Sequence, residues 1–202
     1  MTKIKTPTIV LGSTSPFRKQ ILDKLNIKFV TDKPEVDETP LLNETPQQLV
    51  ERLAILKANA VAVRHQDALI IGSDQVAVFD NRILGKPHTH ENAVKQLSEF
   101  SGNKVTFLTG LAVTCSATGK TTAIVEPFEV HFKALSRDQI ENYLLAEKPY
   151  NCAGSFKSEA LGICLFEKLV GDDPNTLIGL PLIKLTEILS QFGFHVLEQQ
   201  AT

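Results

Sequence analysis

Residues 8–25 read TIVLGSTSPFRKQILDKL and contain the first structural unit of the chain. Thr8–Gly12 is a short apolar run rich in β-branched residues, which predicts a buried strand. The run ends in small residues, and Ser15 followed by Pro16 is the pair expected at the N-cap and the first position of a helix. Residues 17–25 then show helical apolar spacing. A strand is therefore expected to lead, through a loop of small residues, into the N-terminus of a helix.

The rest of the chain alternates between strand-like and helical patterns. Residues 45–48 read TPQQ, a capping box with proline at the first helical position, and predict a long helix to about Arg64. Its apolar stripe is predicted at Leu49, Leu53, Leu56, Ala60 and Val63. Further strands are predicted at 28–31, 68–71, 76–79, 82–84, 105–115, 121–132 and 161–169, and further helices at 91–100, 137–146 and 181–192. This mixture predicts an α/β fold with a mixed, strongly curved sheet.

Composition argues against several classes of protein. The 202 residues carry a formal net charge of −2, whereas nucleic-acid-binding proteins normally have a basic surplus. No stretch approaches the roughly 18 uninterrupted apolar residues of a membrane span. Cys115, Cys152 and Cys164 are odd in number and lack metal-binding spacing, which indicates reduced thiols. Because no apolar signal-peptide core precedes Val10, we expect a cytoplasmic protein without nucleic-acid or membrane partners.

The loop before the first predicted helix is the first candidate site. From Ser13 onward its small hydroxylic residues offer backbone N–H groups and the positive end of the helix dipole to an anion. Arg18 and Lys19 add positive charge in the first turn, where that dipole disfavours cations, so their placement indicates a bound phosphate. A capped helix with two solvated bases is the alternative that these residues leave open.

Asp74 and two lysines are further candidates. Asp74 follows the apolar run 68–71, at a position where such sheets present ligand-facing groups, and a carboxylate there can hold a divalent cation or orient water. Lys86, held between a glycine and a proline, is placed to reach the same cleft. Lys57 on the long helix and the acidic loop at 35–38 are weaker candidates. A turn-initiating aspartate and solvated side chains are the alternatives.

Together and in this order, these segments resemble the Maf-like nucleotide pyrophosphatases over nearly the whole chain. The matching stretches are LGSTSPFRK at 11–19, VDE at 36–38, LAILKA at 53–58, GSDQ at 72–75, GKP at 85–87, SG at 101–102, VTFLTG at 105–110, AGSF at 153–156 and GLPL at 179–182. The resemblance implies one Maf-like domain over residues 1–202. Its implied fold is α/β and Maf/ITPase-like: an elongated, mixed, curved sheet flanked by helices, with two lobes around a deep cleft.

The resemblance also implies an activity and residue roles. The activity is hydrolysis of the α–β phosphoanhydride of a nucleoside triphosphate with a divalent cation, Mg²⁺, Mn²⁺ or Co²⁺. Asp74 corresponds to the general base or water-orienting carboxylate and, with Glu38, to the metal-binding carboxylates. The family usually has arginine where Lys19 stands, and lysine lacks its bidentate geometry. The phosphate-binding positions correspond to Ser13, Arg18, Lys19, Lys57 and Lys86.

Three positions bear on the choice of nucleobase. The branch that accepts dTTP and UTP typically has Arg, Thr and Gln at positions 17, 75 and 159, whereas Phe17, Gln75 and Glu159 resemble the branch that acts on 7-methyl-GTP. An aromatic ring attracts the positive charge of N7-methylated guanine, and Glu159 can accept hydrogen bonds from the guanine edge. That branch commonly has Trp where Phe17 stands.

The resemblance therefore favours 7-methyl-GTP as the substrate. A dTTP/UTP pyrophosphatase or one with broad activity on modified nucleotides is the nearest alternative, and a non-catalytic, nucleotide-binding regulator of cell division is an alternative of another class. The expected partner is a small nucleotide, and a homodimer is the assembly that the family leads us to expect.

Overall fold

The predicted strand–loop–helix unit at the start of the chain is confirmed. In the computed structural model, which describes residues 7–201, β1 (Thr8–Gly12) leads into α1 (Pro16–Asp23). Ser15 caps the helix, because its hydroxyl accepts a hydrogen bond from the Arg18 backbone N–H at 3.3 Å. Residues 1–6 and residue 202 lie outside the described residues. The prediction that no signal-peptide core precedes Val10 rests in part on residues 1–6.

Strands and helices follow one another in a mixed order. The strands after β1 are β2 (Phe29–Asp32), β3 (Ala68–Phe79), β4 (Arg82–Leu84), β5 (Lys104–Cys115), β6 (Thr121–Phe132) and β7 (Phe166–Val170). The helices after α1 are α2 (Pro46–Ala62), α3 (His90–Phe100), α4 (Arg137–Glu147), α5 (Pro174–Ile178) and α6 (Leu182–Gln191). The strand predicted at 161–169 is wrong in its first half, where a 3-10 turn spans Leu161–Leu165, and α5 is not predicted by the sequence.

Within residues 7–201, seven strands form one mixed sheet. Their order is β2-β1-β3-β5-β6-β7, with β4 also paired to β3. β1 pairs in parallel with β2 and β3, whereas β4, β5, β6 and β7 join through antiparallel pairing. The prediction of an α/β fold with a mixed sheet flanked by helices is therefore confirmed. None of the helices in this part of the chain is long and apolar enough to cross a membrane.

β3 is longer than predicted and changes neighbours along its length. The sequence predicts a strand that ends before Asp74, but β3 runs from Ala68 to Phe79 without a break. Its parallel ladder with β1 ends at the pair Gly12 and Gly72, and its ladder with β4 begins at Ala77. On its other side β5 pairs with it across this whole stretch, which keeps the backbone extended. Asp74 therefore lies inside a strand. At residues 73–76, one edge of β3 is paired with neither β1 nor β4.

α2 covers one face of the sheet at close range because two glycines lie beneath it. A Cβ on Gly72 would overlap the carbonyl oxygen of Ala54, and a Cβ on Gly110 would overlap that of Val50. These two positions of β3 and β5 therefore need glycine so that the helix backbone can approach the sheet.

The buried face of α2 differs from the predicted stripe. The residues that it buries are Leu49, Val50, Leu53, Ala54, Lys57, Ala58 and Val61. Leu56 and Val63 of the predicted stripe are exposed, Val63 at 85%. The physical reason is that the helix backbone meets the two glycines at Val50, Ala54 and Ala58. The contact is centred on this side of the helix, so Leu56 faces solvent, and Val63 lies just beyond the helix end.

Among the described residues, four hydrophobic clusters pack against the sheet. One surrounds Phe100, Phe107 and Phe132 together with α3 and α4. Another joins β1, α1 and α6, with Leu111 of β5 and Leu185 of α6 among its buried residues. The remaining two lie between α2 and the sheet. β5 contributes residues to all four clusters.

Candidate functional site

A cleft of about 760 Å³ opens where β3 lies between the ladders to β1 and β4. Its walls come from the loop before α1, the acidic loop, α2, β3 and the end of β4. The predicted site residues that line it are Ser13, Phe17, Arg18, Glu38, Lys57, Asp74, Gln75 and Lys86.

Inside the cleft, a buried lysine joins two carboxylates. Lys57 Nζ lies 2.6 Å from Asp74 Oδ1 and 2.9 Å from Glu38 Oε1. Lys57 and Asp74 are 6% and 8% exposed, whereas the Glu38 side chain is 59% exposed. The alternatives of a solvated Lys57 and a turn-initiating Asp74 are therefore wrong. An ammonium group has three N–H donors, so a phosphate oxygen can take the donor that these two contacts do not use.

Arg18 extends from α1 toward the same carboxylates. Burial lowers the pKa of Arg18, and the negative charges of Asp74 and Glu38 offset part of this shift. Its Nε donates a hydrogen bond of 2.9 Å to the carbonyl oxygen of Gly179, and Ser73 Oγ donates one of the same length to that oxygen. The backbone after α5 thus links the guanidinium to β3. The alternative of two solvated bases is wrong for Arg18.

The loop before α1 is held by its own hydroxyl groups. The Ser15 N–H donates to Ser13 Oγ at 3.1 Å, and Ser13 is buried. Because a hydroxyl that accepts one hydrogen bond keeps its own donor, Ser13 can still donate to an anion in the cleft.

Lys86 enters the cleft from a loop that α3 holds on both sides. Gln96 Nε2 donates to the carbonyl oxygen of Gly85 at 3.0 Å, and Asn92 Nδ2 donates to that of Pro87 at 3.0 Å. The residues before and after Lys86 are therefore anchored to the same helix, which fixes the direction in which its side chain leaves the loop.

Lys19 is the predicted phosphate-binding residue that the structure does not bring to the cleft. It is described by the structure, but it is not among the residues that line the cavity. Its side chain is 55% exposed and pairs with Asp23 at 3.1 Å, and its Nζ lies 5.7 Å from the centre of the Phe29 ring. Consecutive helical residues point about 100° apart, so the helix that directs Arg18 inward directs Lys19 outward. For Lys19, the alternative of a solvated base is therefore correct.

A smaller pocket of about 200 Å³ adjoins the cleft. Phe17, Arg18 and Lys86 line both cavities, whereas Glu159 lines the smaller pocket alone. Phe17 is half-buried and Glu159 is exposed. The structure thus brings all three predicted base-recognition residues, Phe17, Gln75 and Glu159, which are far apart in the sequence, to one pocket.

Gln75 shapes this pocket through the backbone of α5. Its Nε2 lies 2.8 Å from both Thr109 Oγ1 and the carbonyl oxygen of Thr176, and Thr109 Oγ1 donates to the same carbonyl oxygen at 3.0 Å. Leu177, the next residue of α5, lines the pocket. Thr109 and Thr176 are not among the site residues that the sequence predicts. A buried threonine within the apolar run at 105–113 is the signal that could have indicated the first of them.

Glu38 and Asp74 are the candidate metal ligands. Among residues 7–201 there is no group of three or more His, Cys, Asp or Glu side chains that could hold a metal ion. The two carboxylates already face one cation, the Lys57 ammonium, and their oxygens are the donors that Mg²⁺ prefers. Mg²⁺ commonly uses one or two carboxylates together with water and substrate phosphates. The pair therefore fits a metal ion that shares its ligands with a nucleotide.

The fold and the cleft define a class, namely a mixed α/β protein with a charged cleft beside the third strand of its sheet. The model of the family described as Maf-like protein matches residues 8–192. The chain belongs to this Maf-like family, as the motifs of the sequence indicate.

Curated relatives match along almost the whole chain. It is 66% identical over 194 residues to the 7-methyl-GTP pyrophosphatase of Colwellia psychrerythraea, with 96% of this chain and 97% of that protein covered. It is 60% identical over 193 residues to the protein of the same name from Pseudoalteromonas translucida, with 96% of each covered. The solved structure of the Staphylococcus aureus Ham1 protein matches 75% of this chain and 88% of that chain at 17% identity, with a TM-score of 0.47, a likeness too weak to bear on function.

Proposed function

We propose that this chain hydrolyses 7-methyl-GTP to 7-methyl-GMP and pyrophosphate with the help of a divalent cation. The observation that carries the proposal is the shared wall of two cavities: Phe17, Arg18 and Lys86 line both the cleft that contains Lys57 and Asp74 and the pocket that contains Glu159. One cavity suits a triphosphate and the other a cationic base. The relatives named for this activity support the proposal.

The charged cleft supplies the groups that this hydrolysis needs. The oxygen of a water molecule forms a bond to the α-phosphorus, the bond to the α–β bridging oxygen breaks, and its electron pair leaves with pyrophosphate. Asp74 Oδ1 stays on Lys57 at 2.6 Å, while the other carboxylate oxygen orients the water and takes its proton. Arg18, Lys57 and Lys86 neutralise the charge that grows on the leaving group.

A divalent cation would be held by Glu38 together with the phosphate oxygens and, in the alternative where Asp74 does not take the proton, by Asp74 as well. When bound, it adds charge neutralisation at the anhydride bond. The exposed position of Glu38 on its loop and the buried position of Asp74 suit this shared role, since one side of the ion must remain open to the nucleotide.

The smaller pocket favours a methylated guanine over other bases. N7-methylation gives the ring system a delocalised positive charge, which the face of Phe17 attracts. Glu159 accepts hydrogen bonds from N1–H and N2–H, and a carboxylate acceptor strengthens them. Thymine and uracil have neither the charge nor the same donor edge.

Pyrophosphate release by the purified protein tests this function. With Mg²⁺ or Mn²⁺ present, 7-methyl-GTP, GTP, dTTP and UTP are compared, and we expect 7-methyl-GTP to be cleaved with the highest kcat/KM. Preferential cleavage of dTTP and UTP would support the proposed hydrolysis but contradict the assignment of 7-methylguanine as the preferred base. Binding without turnover of any nucleotide would favour the regulatory alternative.

The proposal also includes the cellular compartment and the oligomeric state of the protein. The free Cys115, Cys152 and Cys164 are typical of a reducing compartment, which supports a cytoplasmic location. A homodimer is the assembly expected from the family, and size-exclusion chromatography with light scattering tests it.

A further inference from the structure

Glu147, the last residue of α4, binds the segment that carries Glu159 at two points. Glu147 Oε1 accepts a hydrogen bond from Lys157 Nζ at 3.0 Å, and Oε2 accepts one from the Leu161 N–H at 3.2 Å. The Glu147 side chain is 17% exposed. A single carboxylate thus bridges the two ends of the segment 157–161, with Glu159 between its contacts.

A second residue of α4 strengthens this attachment. The Lys157 N–H donates to the Tyr143 hydroxyl at 3.1 Å. Tyr143 and Glu147 are four residues apart and therefore lie on the same face of the helix. Tyr143, Ile140 and Leu144 are buried in the core around the phenylalanines, so the segment is attached to a helix that is itself firmly packed.

The segment turns back tightly on itself. The Ala160 N–H donates to the Lys157 carbonyl oxygen at 3.4 Å, and a Cβ on Gly162 would overlap that same oxygen. Glu159 is exposed, and its Oε2 lies 3.4 Å from the hydroxyl of its neighbour Ser158. Together with the burial of the preceding residue Phe156 in the core, the contacts made by α4 therefore fix the position of Glu159 relative to the pocket.

The charge of Lys157 also affects how the pocket receives a cationic base. Lys157 lines the same pocket as Phe17 and Glu159, where an uncompensated ammonium would repel a cationic base. Its Nζ is held by the Glu147 carboxylate at 3.0 Å, and both side chains are largely shielded from water. Charges that are partly removed from water interact more strongly than exposed ones, so Glu147 offsets this repulsion effectively.

We propose that Glu147 is a positioning residue for recognition of the methylated base, because it fixes the segment that presents Glu159 and neutralises Lys157 at the pocket wall. The inference rests on the proposed function. The described residues that line the pocket include Lys157 and Glu159 but not Glu147, so Glu147 acts through these two residues rather than by touching the substrate.

Steady-state kinetics of Glu147→Gln on 7-methyl-GTP and GTP test the inference. The amide keeps an acceptor for the segment and loses the charge. We expect KM for 7-methyl-GTP to rise about tenfold, the scale of a lost charge-assisted hydrogen bond, with little change in kcat and a smaller rise for GTP. Glu141→Gln is the matched control, because Glu141 lies on the same helix and pairs with His90 and Arg137 instead.

Lys157→Met removes the ammonium and keeps the hydrogen bonds of the Leu161 N–H to Glu147 and of the residue 157 N–H to Tyr143. Removal of the ammonium should maintain or raise the preference for 7-methyl-GTP over GTP, and the double variant Glu147→Gln/Lys157→Met should recover most of the preference lost in Glu147→Gln. If Glu147→Gln does not fold, as judged by its thermal midpoint, Lys157→Met still tests the electrostatic argument.

Three results would overturn the inference. They are a Glu147→Gln variant whose KM and preference match those of Glu141→Gln, a loss confined to kcat and equal for both nucleotides, and a Lys157→Met variant with reduced preference for 7-methyl-GTP. A wild-type protein that does not prefer 7-methyl-GTP to GTP would instead overturn the proposed function, and the inference with it, before any variant is compared.

Discussion

Lys57 of α2 and Asp74 of β3 meet between helix and sheet, with Nζ and Oδ1 2.6 Å apart. Side chains two positions apart on a strand point to the same face, so Gly72 lies beneath α2 on the side of β3 that presents Asp74. The glycine lets the helix backbone approach the strand, and this approach brings the lysine to the aspartate. The close contact of α2 with Gly72 therefore determines both the packing of the helix and the position of the Lys57 charge in the cleft.

Asp74→Asn separates turnover from nucleotide binding. We expect kcat to fall at least about a hundredfold, the scale of a lost catalytic base, while the dissociation constant for 7-methyl-GTP, measured without a divalent cation, changes little because Arg18, Lys57 and Lys86 are kept. Pyrophosphate release and isothermal titration calorimetry measure the two quantities. Asp80→Asn, in the β3–β4 turn, is the matched control. A kcat equal to that of the control would remove Asp74 from the catalytic role.

Gly72→Ala tests the approach of α2 to the sheet. The added methyl group would overlap the Ala54 carbonyl oxygen, so the helix must shift, and overpacking of this kind lowers the free energy of unfolding by about 1–3 kcal/mol. We also expect kcat to fall, because the shift moves Lys57 relative to Asp74. Urea denaturation and pyrophosphate release check both effects.

Gly85→Ala is the stability control for that experiment, since no heavy atom of the described residues lies within 4 Å of a Cβ at this position. Equal unfolding free energies for the two variants would contradict the account of helix approach.

The sequence predicts local structure better than the contacts between distant segments. Ser15 and Pro16 define the start of α1 because capping is a property of neighbouring residues. The continuation of β3 through Asp74 was missed because it depends on pairing with β5, which local pattern does not contain. The direction of Lys19 was also missed, since a positive charge in the first turn says nothing about which side of the helix faces the cleft. Arg18, one residue earlier, lies on the side that does.

Phe17→Trp tests the role of the aromatic ring in base recognition. A larger aromatic face attracts a cation more strongly, and a gain of about 1 kcal/mol, equivalent to roughly a fivefold lower KM for 7-methyl-GTP, is in the range of cation–π contacts. KM for GTP should change much less, because its base carries no such charge. Phe17→Leu should have the opposite effect. Equal responses to the two nucleotides in both variants would show that Phe17 serves only to pack the pocket wall.

Asp32 at the end of β2 gives a prediction for acid stability. Hydrogen bonds from Arg64 and then His65 lower the pKa of Asp32 from 3.8 to about 2. A carboxyl group whose pKa is lower in the folded state stabilises the protein above its unfolded pKa, and this contribution is lost as pH falls through the folded pKa. The difference in unfolding free energy between wild type and Asp32→Asn should therefore shrink as pH falls from about 4 to about 2. A difference that is constant over this range would contradict the assignment.

Metal binding should depend on the nucleotide. Because no group of three or more potential side-chain ligands lies together in residues 7–201, Glu38 and Asp74 alone should hold Mn²⁺ weakly, and the phosphates of a bound nucleotide should tighten the binding by completing the ligand set. Electron paramagnetic resonance of Mn²⁺ in the wild type, with and without a 7-methyl-GTP analogue whose α–β bridging oxygen is replaced by a methylene group to prevent turnover, measures this difference. Treatment of the wild type with EDTA should abolish pyrophosphate release and leave the thermal midpoint unchanged, whereas Glu38→Gln should raise the Mg²⁺ concentration needed for half-maximal activity. Tight Mn²⁺ binding without nucleotide, or full activity in EDTA, would contradict a shared metal site, because two carboxylates already paired with Lys57 have little remaining charge with which to bind an ion alone.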